Sequence, residues 1–247
     1  MNRIGRYIPN TLTCCNLIFG CMACIAALEG YSLHAMMYIF VAVAFDFADG
    51  MAARLLKAYS PIGKDLDSLA DMVSFGVAPG LMLFRFIHER IADPSITLPP
   101  YLLYLFYIAA LAIPVCSALR LAKFNNDTRQ TTTFIGLPVP AHAIFWSSLI
   151  CTLTSDCDST GFAMAVDLSP TTLLTVTAVT AIVTSLLLVS EIPMFSLKVK
   201  SLAWKGNERR YLLILAAVAL TIWLGIPGIA MTILLYILLS FAGIRSK

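Results

Sequence analysis

Apolar residues run along this chain in long unbroken blocks, and the polar residues gather between them. A helix needs about 20 apolar residues to cross a bilayer. Six blocks of roughly that length fall at 12–28, 33–56, 68–87, 101–121, 135–154 and 171–190, and each predicts one membrane helix. A further block, 211–243, is too long for one span and is broken by Gly225-Ile226-Pro227-Gly228. A Gly/Pro turn there predicts a helical hairpin, although each arm, at about 15 residues, is short for a crossing. The segment 1–9 carries Arg3 and Arg6 beside Ile4, Tyr7 and Ile8, a pattern that predicts a short helix lying on the membrane surface. It does not read as a signal peptide, because the apolar stretch that follows continues into a full span. Pro114 predicts a kink and Pro193 a boundary.

Composition sharpens the class. Of 247 residues, 59% are hydrophobic and 13% charged, and the mean hydropathy is +0.84. Soluble domains carry about 25% charge, so a soluble globule is excluded and an all-α polytopic membrane bundle of about eight spans is expected. Cys14, Cys15, Cys21, Cys24, Cys116 and Cys151 lie in apolar stretches and read as small hydrophobes. Cys21-x-x-Cys24 lacks the second pair or the histidine that a zinc site needs. Charge also orients the bundle. With the N-terminus in the cytoplasm, every basic residue of the 17 except Arg85 and Arg90 falls on the inner side. The outer 155–169 loop is then acidic, with Asp156, Asp158 and Asp167. That asymmetry predicts both termini in the cytoplasm.

One segment breaks the membrane pattern. Asp46, Asp49, Gly50, Ala53 and Arg54 are followed by Gly63, Asp67 and Asp71. An Asp at the centre of a membrane helix costs about 2.5–3.5 kcal/mol on insertion scales, so several acids in two predicted helices need compensation. Asp46 and Asp49 are spaced to share a helix face that Gly50, Ala53 and Arg54 continue, and Gly63, Asp67 and Asp71 recur at four-residue steps. A short turn containing Ser60-Pro61 joins the two helices antiparallel and lets the carboxylates converge. Converging carboxylates repel one another unless a cation neutralises them. Hard oxygen ligands suit Mg²⁺ or Mn²⁺, Arg54 offers a phosphate partner, and Gly50 and Gly63 leave room for a bulky ligand. The bland alternative is that the acids are solvated or paired with Lys57 and Lys64. Asp65 lies off the stripe and is left with that alternative.

The pattern D-x2-D-G-x2-A-R-x8-G-x3-D-x3-D, filled at every specified position, resembles the CDP-alcohol phosphotransferases. The resemblance implies a core of six membrane helices over residues 10–190, with 191–247 as a basic segment and hairpin outside it. It implies two metal ions, one held by Asp46, Asp49 and Asp67 and the other by Asp46, Asp67 and Asp71. It gives Asp71 the further role of general base, and Gly50, Arg54 and Ser60 contacts to the nucleotide and phosphates. Asn10, Thr11, Leu12 and Thr13 would add polar and backbone contacts to the CDP-diacylglycerol.

Further stretches are similar to the integral-membrane phosphatidylserine synthases of bacteria. They are Pro9-Asn10-Thr11-Leu12-Thr13-x-x-Asn16, Asp67–Pro79, Leu119–Asn125 and Phe134–Ala141, with Lys123 where Arg is more usual. This implies L-serine as acceptor, an enzyme of the cytoplasmic membrane with its active site on the cytoplasmic side, and a homodimer. Arg120, Lys123 and Asn125 are the candidates for binding serine, and the alternative is that they are ordinary inner-side basic positions. His142 either faces the cavity or packs through a helix–helix hydrogen bond, and packing is favoured. The rival within the family is a synthase of phosphatidylglycerophosphate or phosphatidylinositol phosphate, whose phosphorylated acceptors need a stronger basic cluster. A cation transporter is the rival outside it, but transport predicts acids near mid-membrane. A lipid scaffold with a dead site would lack a motif residue, and none is missing.

Overall fold

In lipid every backbone N–H and C=O must find its partner within the protein, and the helix achieves this inside one segment. The apolar blocks accordingly fold as helices in the computed structural model, which describes residues 7–58, 60–94, 96, 98–126, 134–154, 168–195 and 207–244. Among these residues there are eight helices. They are α1 Ile8–Glu29, α2 Ser32–Leu55, α3 Pro61–Ile91, α4 Pro100–Asn126, α5 Val139–Leu153, α6 Pro170–Val189, α7 Glu208–Leu224 and α8 Ile226–Ile244. Five of them, α1, α2, α3, α4 and α6, are long and apolar enough to cross a membrane. α5 and the apolar part of α8 are shorter. A membrane bundle of many helices is thus the architecture.

The differences from the sequence reading have local causes. The third helix starts at Pro61 rather than 68, because its first turns are polar and hydropathy passes over them. Its start is well specified: Ser60 Oγ accepts a hydrogen bond from the Gly63 N–H at 3.0 Å, and Pro61 occupies the first helical turn, where its missing N–H costs nothing. Directly after Asp71 the helix loosens into one π turn, Met72–Val77. The fifth helix begins at Val139, not 135. Phe134–Ile135 instead pairs antiparallel with Pro193–Met194, so Pro193 marks a boundary as expected. Of the expected surface helix, Arg3, Ile4 and Arg6 lie outside the described residues, while Ile8 and Pro9 already belong to α1. The hairpin turns at Gly225, whose φ of 70° is a backbone state that side chains resist.

Packing places α1 at the centre of the site. It runs along both α2 and α3, whereas the first turns of α3 make little backbone contact with α2. Ala23, Ala26, Ala27, Ala35 and Ala42 are buried, and such small residues let membrane helices approach closely. α3 packs on α4, α4 on α6, and α5 on α2 and α8, while α7 leans on α8. His142 is buried in that interior: its Nε2 lies 3.0 Å from Thr184 Oγ1 and accepts from Trp146 Nε1 at 3.1 Å. That is the packing alternative. Cys14, Cys15, Cys21, Cys24 and Cys116 are free thiols. Cys151 departs from the reading as a small hydrophobe, for it is disulfide-bonded.

Candidate active site

The motif acids of α2 and α3 meet beside α1. Asp46, Asp49 and Asp67 each bring a carboxylate oxygen within 4.8 Å of the other two. Asp49 is buried, and its Oδ2 accepts a hydrogen bond from the Thr13 hydroxyl of α1 at 2.6 Å. One turn beyond Asp67, Asp71 is buried too, and its Oδ1 accepts from Asn16 Nδ2 at 3.1 Å. Asp71 therefore stands next to the trio of converging oxygens rather than within it. Asp65, on the same helix, is exposed.

The donor chemistry of this arrangement fits a cation. Among the described residues the ion pairs are Arg85–Glu89 and Lys123–Glu191, so neither Lys57 nor Lys64 neutralises the cluster. Lys64 Nζ donates instead to the Asn125 carbonyl at 2.8 Å. Asp67 Oδ1 is buried and has no hydrogen-bond partner, an expensive state for a carboxylate oxygen in a low-dielectric interior. Three hard oxygens with one orphaned lone-pair site match the donor set of Mg²⁺ or Mn²⁺.

The remaining candidates frame the cluster. A side chain at Gly50 would meet nothing within 4 Å, so space is open beside Asp49. Gly63 is different: Asn10 Oδ1 and Ser60 Oγ each lie 2.9 Å from where its Cβ would stand. The glycine makes room for those two polar side chains instead of standing open. Arg54 is exposed at the end of α2, its Nε donating to the Gly50 carbonyl at 2.9 Å. Thr11 is exposed and its hydroxyl donates to the Tyr7 carbonyl; Leu12 is half-buried.

On the other side of Asp67 and Asp71 a cavity of about 170 Å³ opens toward α4 and the turn before α5. Arg120, Asn125, Ser68 and Pro138 are among its lining residues. Arg120 is only 4% exposed, and its guanidinium lies over the Phe124 ring at 5.4 Å. Asn125 Nδ2 donates to Ser68 Oγ at 2.7 Å. Lys123 does not line the cavity: its Nζ reaches Glu191 Oε1 at 3.3 Å and the Val189 carbonyl at 3.4 Å, tying α4 to the end of α6. The sequence reading missed Ser68 and treated Lys64 only as a partner for the acids. The available signal was helical spacing, four residues from Lys64 to Ser68 and three from Ser68 to Asp71.

A family model described as CDP-alcohol phosphatidyltransferase matches residues 6–243. A Bacillus subtilis (strain 168) protein named CDP-diacylglycerol–serine O-phosphatidyltransferase is 41% identical over 136 residues, 55% of this chain and 70% of that protein. Two proteins of the same name, from Mycobacterium leprae (strain TN) and Methanocaldococcus jannaschii, are 36% and 35% identical over 146 and 137 residues. Each match takes in 56% of this chain, but 45% and 57% of the relatives, so the chain spans about half the length of those two.

Proposed function

The chain belongs to the CDP-alcohol phosphatidyltransferase family, and from that premise we propose that it transfers a phosphatidyl group from CDP-diacylglycerol to the hydroxyl of L-serine. The products are phosphatidylserine and CMP. One observation carries the reading: the carboxylate cluster adjoins a small cavity in which Arg120 is buried near Asp71. The serine hydroxyl forms a bond to the phosphorus that bears the diacylglycerol, and the bond from that phosphorus to CMP breaks. A hydroxyl is a poor nucleophile at neutral pH, so a base must take its proton as the bond forms. Asp71 lines the cavity and takes that role. Arg120 binds the serine carboxylate by charge-assisted hydrogen bonds, with Asn125 beside it.

The open space at Gly50, together with Arg54, Ser60 and the Asn10–Thr13 turn, receives the nucleotide and pyrophosphate. Asp46, Asp49 and Asp67 would hold one Mg²⁺ or Mn²⁺, and Asp46, Asp67 and Asp71 a second. When bound, the ions neutralise the pyrophosphate and stabilise charge on the departing CMP. Residues 10–190 form the catalytic core on this reading, and 191–247 an appended segment. The basic asymmetry supports a cytoplasmic active site. A disulfide at Cys151, near the far end of α5, supports an oxidising environment there. A homodimer is expected from the family resemblance.

The test is CMP release by the purified protein with CDP-diacylglycerol and Mn²⁺ or Mg²⁺, offering serine, glycerol 3-phosphate or inositol phosphate in turn. Release with serine alone is expected. Release with a phosphorylated acceptor instead would keep the metal site and overturn the acceptor, and no release with any of them would reopen the transporter and scaffold readings.

A further inference from the structure

Asn16 carries no role in the chemistry described so far, yet it is the polar residue of α1 set deepest beside the site. Its side chain is 0% exposed, inside a membrane helix. A buried amide in a membrane helix is costly unless bonded, and Asn16 is only half satisfied. Nδ2 donates to Asp71 Oδ1 at 3.1 Å, while Oδ1 is buried with no partner. A residue kept only for packing would be better served by Leu or Ala, which leave no orphaned acceptor.

Three contacts fix where this amide stands. The Ser74 hydroxyl, on the π turn that follows Asp71, donates to the Asn16 backbone carbonyl at 3.1 Å. One turn along α1, a Cβ on Gly20 would lie 2.1 Å from Ser74 Oγ and 2.9 Å from Ser74 Cα, so only glycine lets the two helices come this close. The same face of α1 carries Thr13, bonded to Asp49. α1 is thus clamped to α3 on one side of Asn16 and to the metal-binding acids on the other. The direction of the hydrogen bond is set by chemistry, since an ionised carboxylate only accepts, and the amide nitrogen must face it.

We propose that Asn16 is a positioning residue for the reaction: its amide holds one oxygen of Asp71 so that the other is presented to the acceptor hydroxyl. The inference rests on the reading of Asp71 as the base. A carboxylate free to rotate about its last torsion would spend part of its time misaligned, and supporting hydrogen bonds of this kind carry about 10–100-fold in activity.

The test compares Asn16→Ala with wild type in steady-state CMP release, with thermal unfolding and detergent-solution size checked first. The expected result is a kcat lower by about 10–100-fold, with the KM for serine, the KM for CDP-diacylglycerol and the melting temperature little changed. If Asn16→Ala does not fold, Asn16→Ser, whose hydroxyl is too short to reach Asp71, carries the same comparison. A kcat within about threefold of wild type, or a loss lying wholly in KM, would overturn the proposal. Coupling gives a second readout: in an Asp71→Glu background, where the carboxylate is already displaced, Asn16→Ala should add less than about threefold. A full additional loss there would make Asn16 structural. The two readings fail separately. Asp71→Asn at the wild-type rate removes the base itself, whereas an inactive Asp71→Asn beside a fully active Asn16→Ala removes only this inference.

Discussion

At the end of α3 that carries Arg85 and Arg90, charge is matched within the protein. Arg85 Nε pairs with Glu89 Oε1 at 2.7 Å, and Arg90 donates to the Leu153 carbonyl at the end of α5 at 2.9 Å while lying 5.2 Å over the Phe86 ring. At the opposite end of the same helix, Asp67 and Asp71 stand beside Asp46 and Asp49, and among the described residues no ion pair joins any of the four to a basic side chain. The helix is the same, but its two ends have different tasks. At the Arg85 and Arg90 end an exposed pair lies within one helix and Arg90 ties α3 to the end of α5. Clustered acid is destabilising in low dielectric unless a counter-charge offsets it, and on the proposed reading a divalent cation supplies it.

Substitutions at the two ends should therefore differ in kind. Asp46→Asn or Asp67→Asn should lower turnover by about 10³-fold, the equivalent of several kcal/mol of metal-supplied stabilisation. The exposed neighbour Asp65→Asn should leave CMP release unchanged; an equal loss there would dissolve the distinction. Asp71→Asn should cost about 10²–10⁴-fold in kcat with CDP-diacylglycerol binding retained, which equilibrium binding can check. Arg120→Ala should raise the KM for serine by about 10–100-fold, the range of a lost charge-assisted hydrogen bond. Lys123→Ala, whose side chain turns away to Glu191, should change that KM by less than about threefold. At the matched end, Arg90→Ala should cost about 1–2 kcal/mol of stability and leave the serine kinetics intact. Reduced turnover in folded Arg90→Ala would break the contrast.

The chemistry of this site was more legible than its construction. The eight motif positions and their helical spacing announced the convergence of Asp46, Asp49 and Asp67, because periodicity survives in sequence. What spacing cannot say is which helix lies between, and α1 wedged along both α2 and α3 was invisible. The bond from the Thr13 hydroxyl to Asp49 is a tertiary contact across 36 positions, which spacing along one helix does not announce. Helix starts were missed where polarity hid them, as at Pro61, and where prolines delayed them, as at Val139. Arg120 and Lys123 looked equivalent in sequence, and only their angular placement on α4 separates a cavity residue from a tether.

The central claim is that the acidic cluster works only with a divalent cation. It is tested most directly by CMP release from CDP-diacylglycerol and serine after the purified protein is stripped with chelator and Mn²⁺ or Mg²⁺ is titrated back. The account predicts no release in the stripped protein and saturable recovery with added ion, absent in Asp67→Asn. Undiminished release by the chelator-treated protein would contradict it.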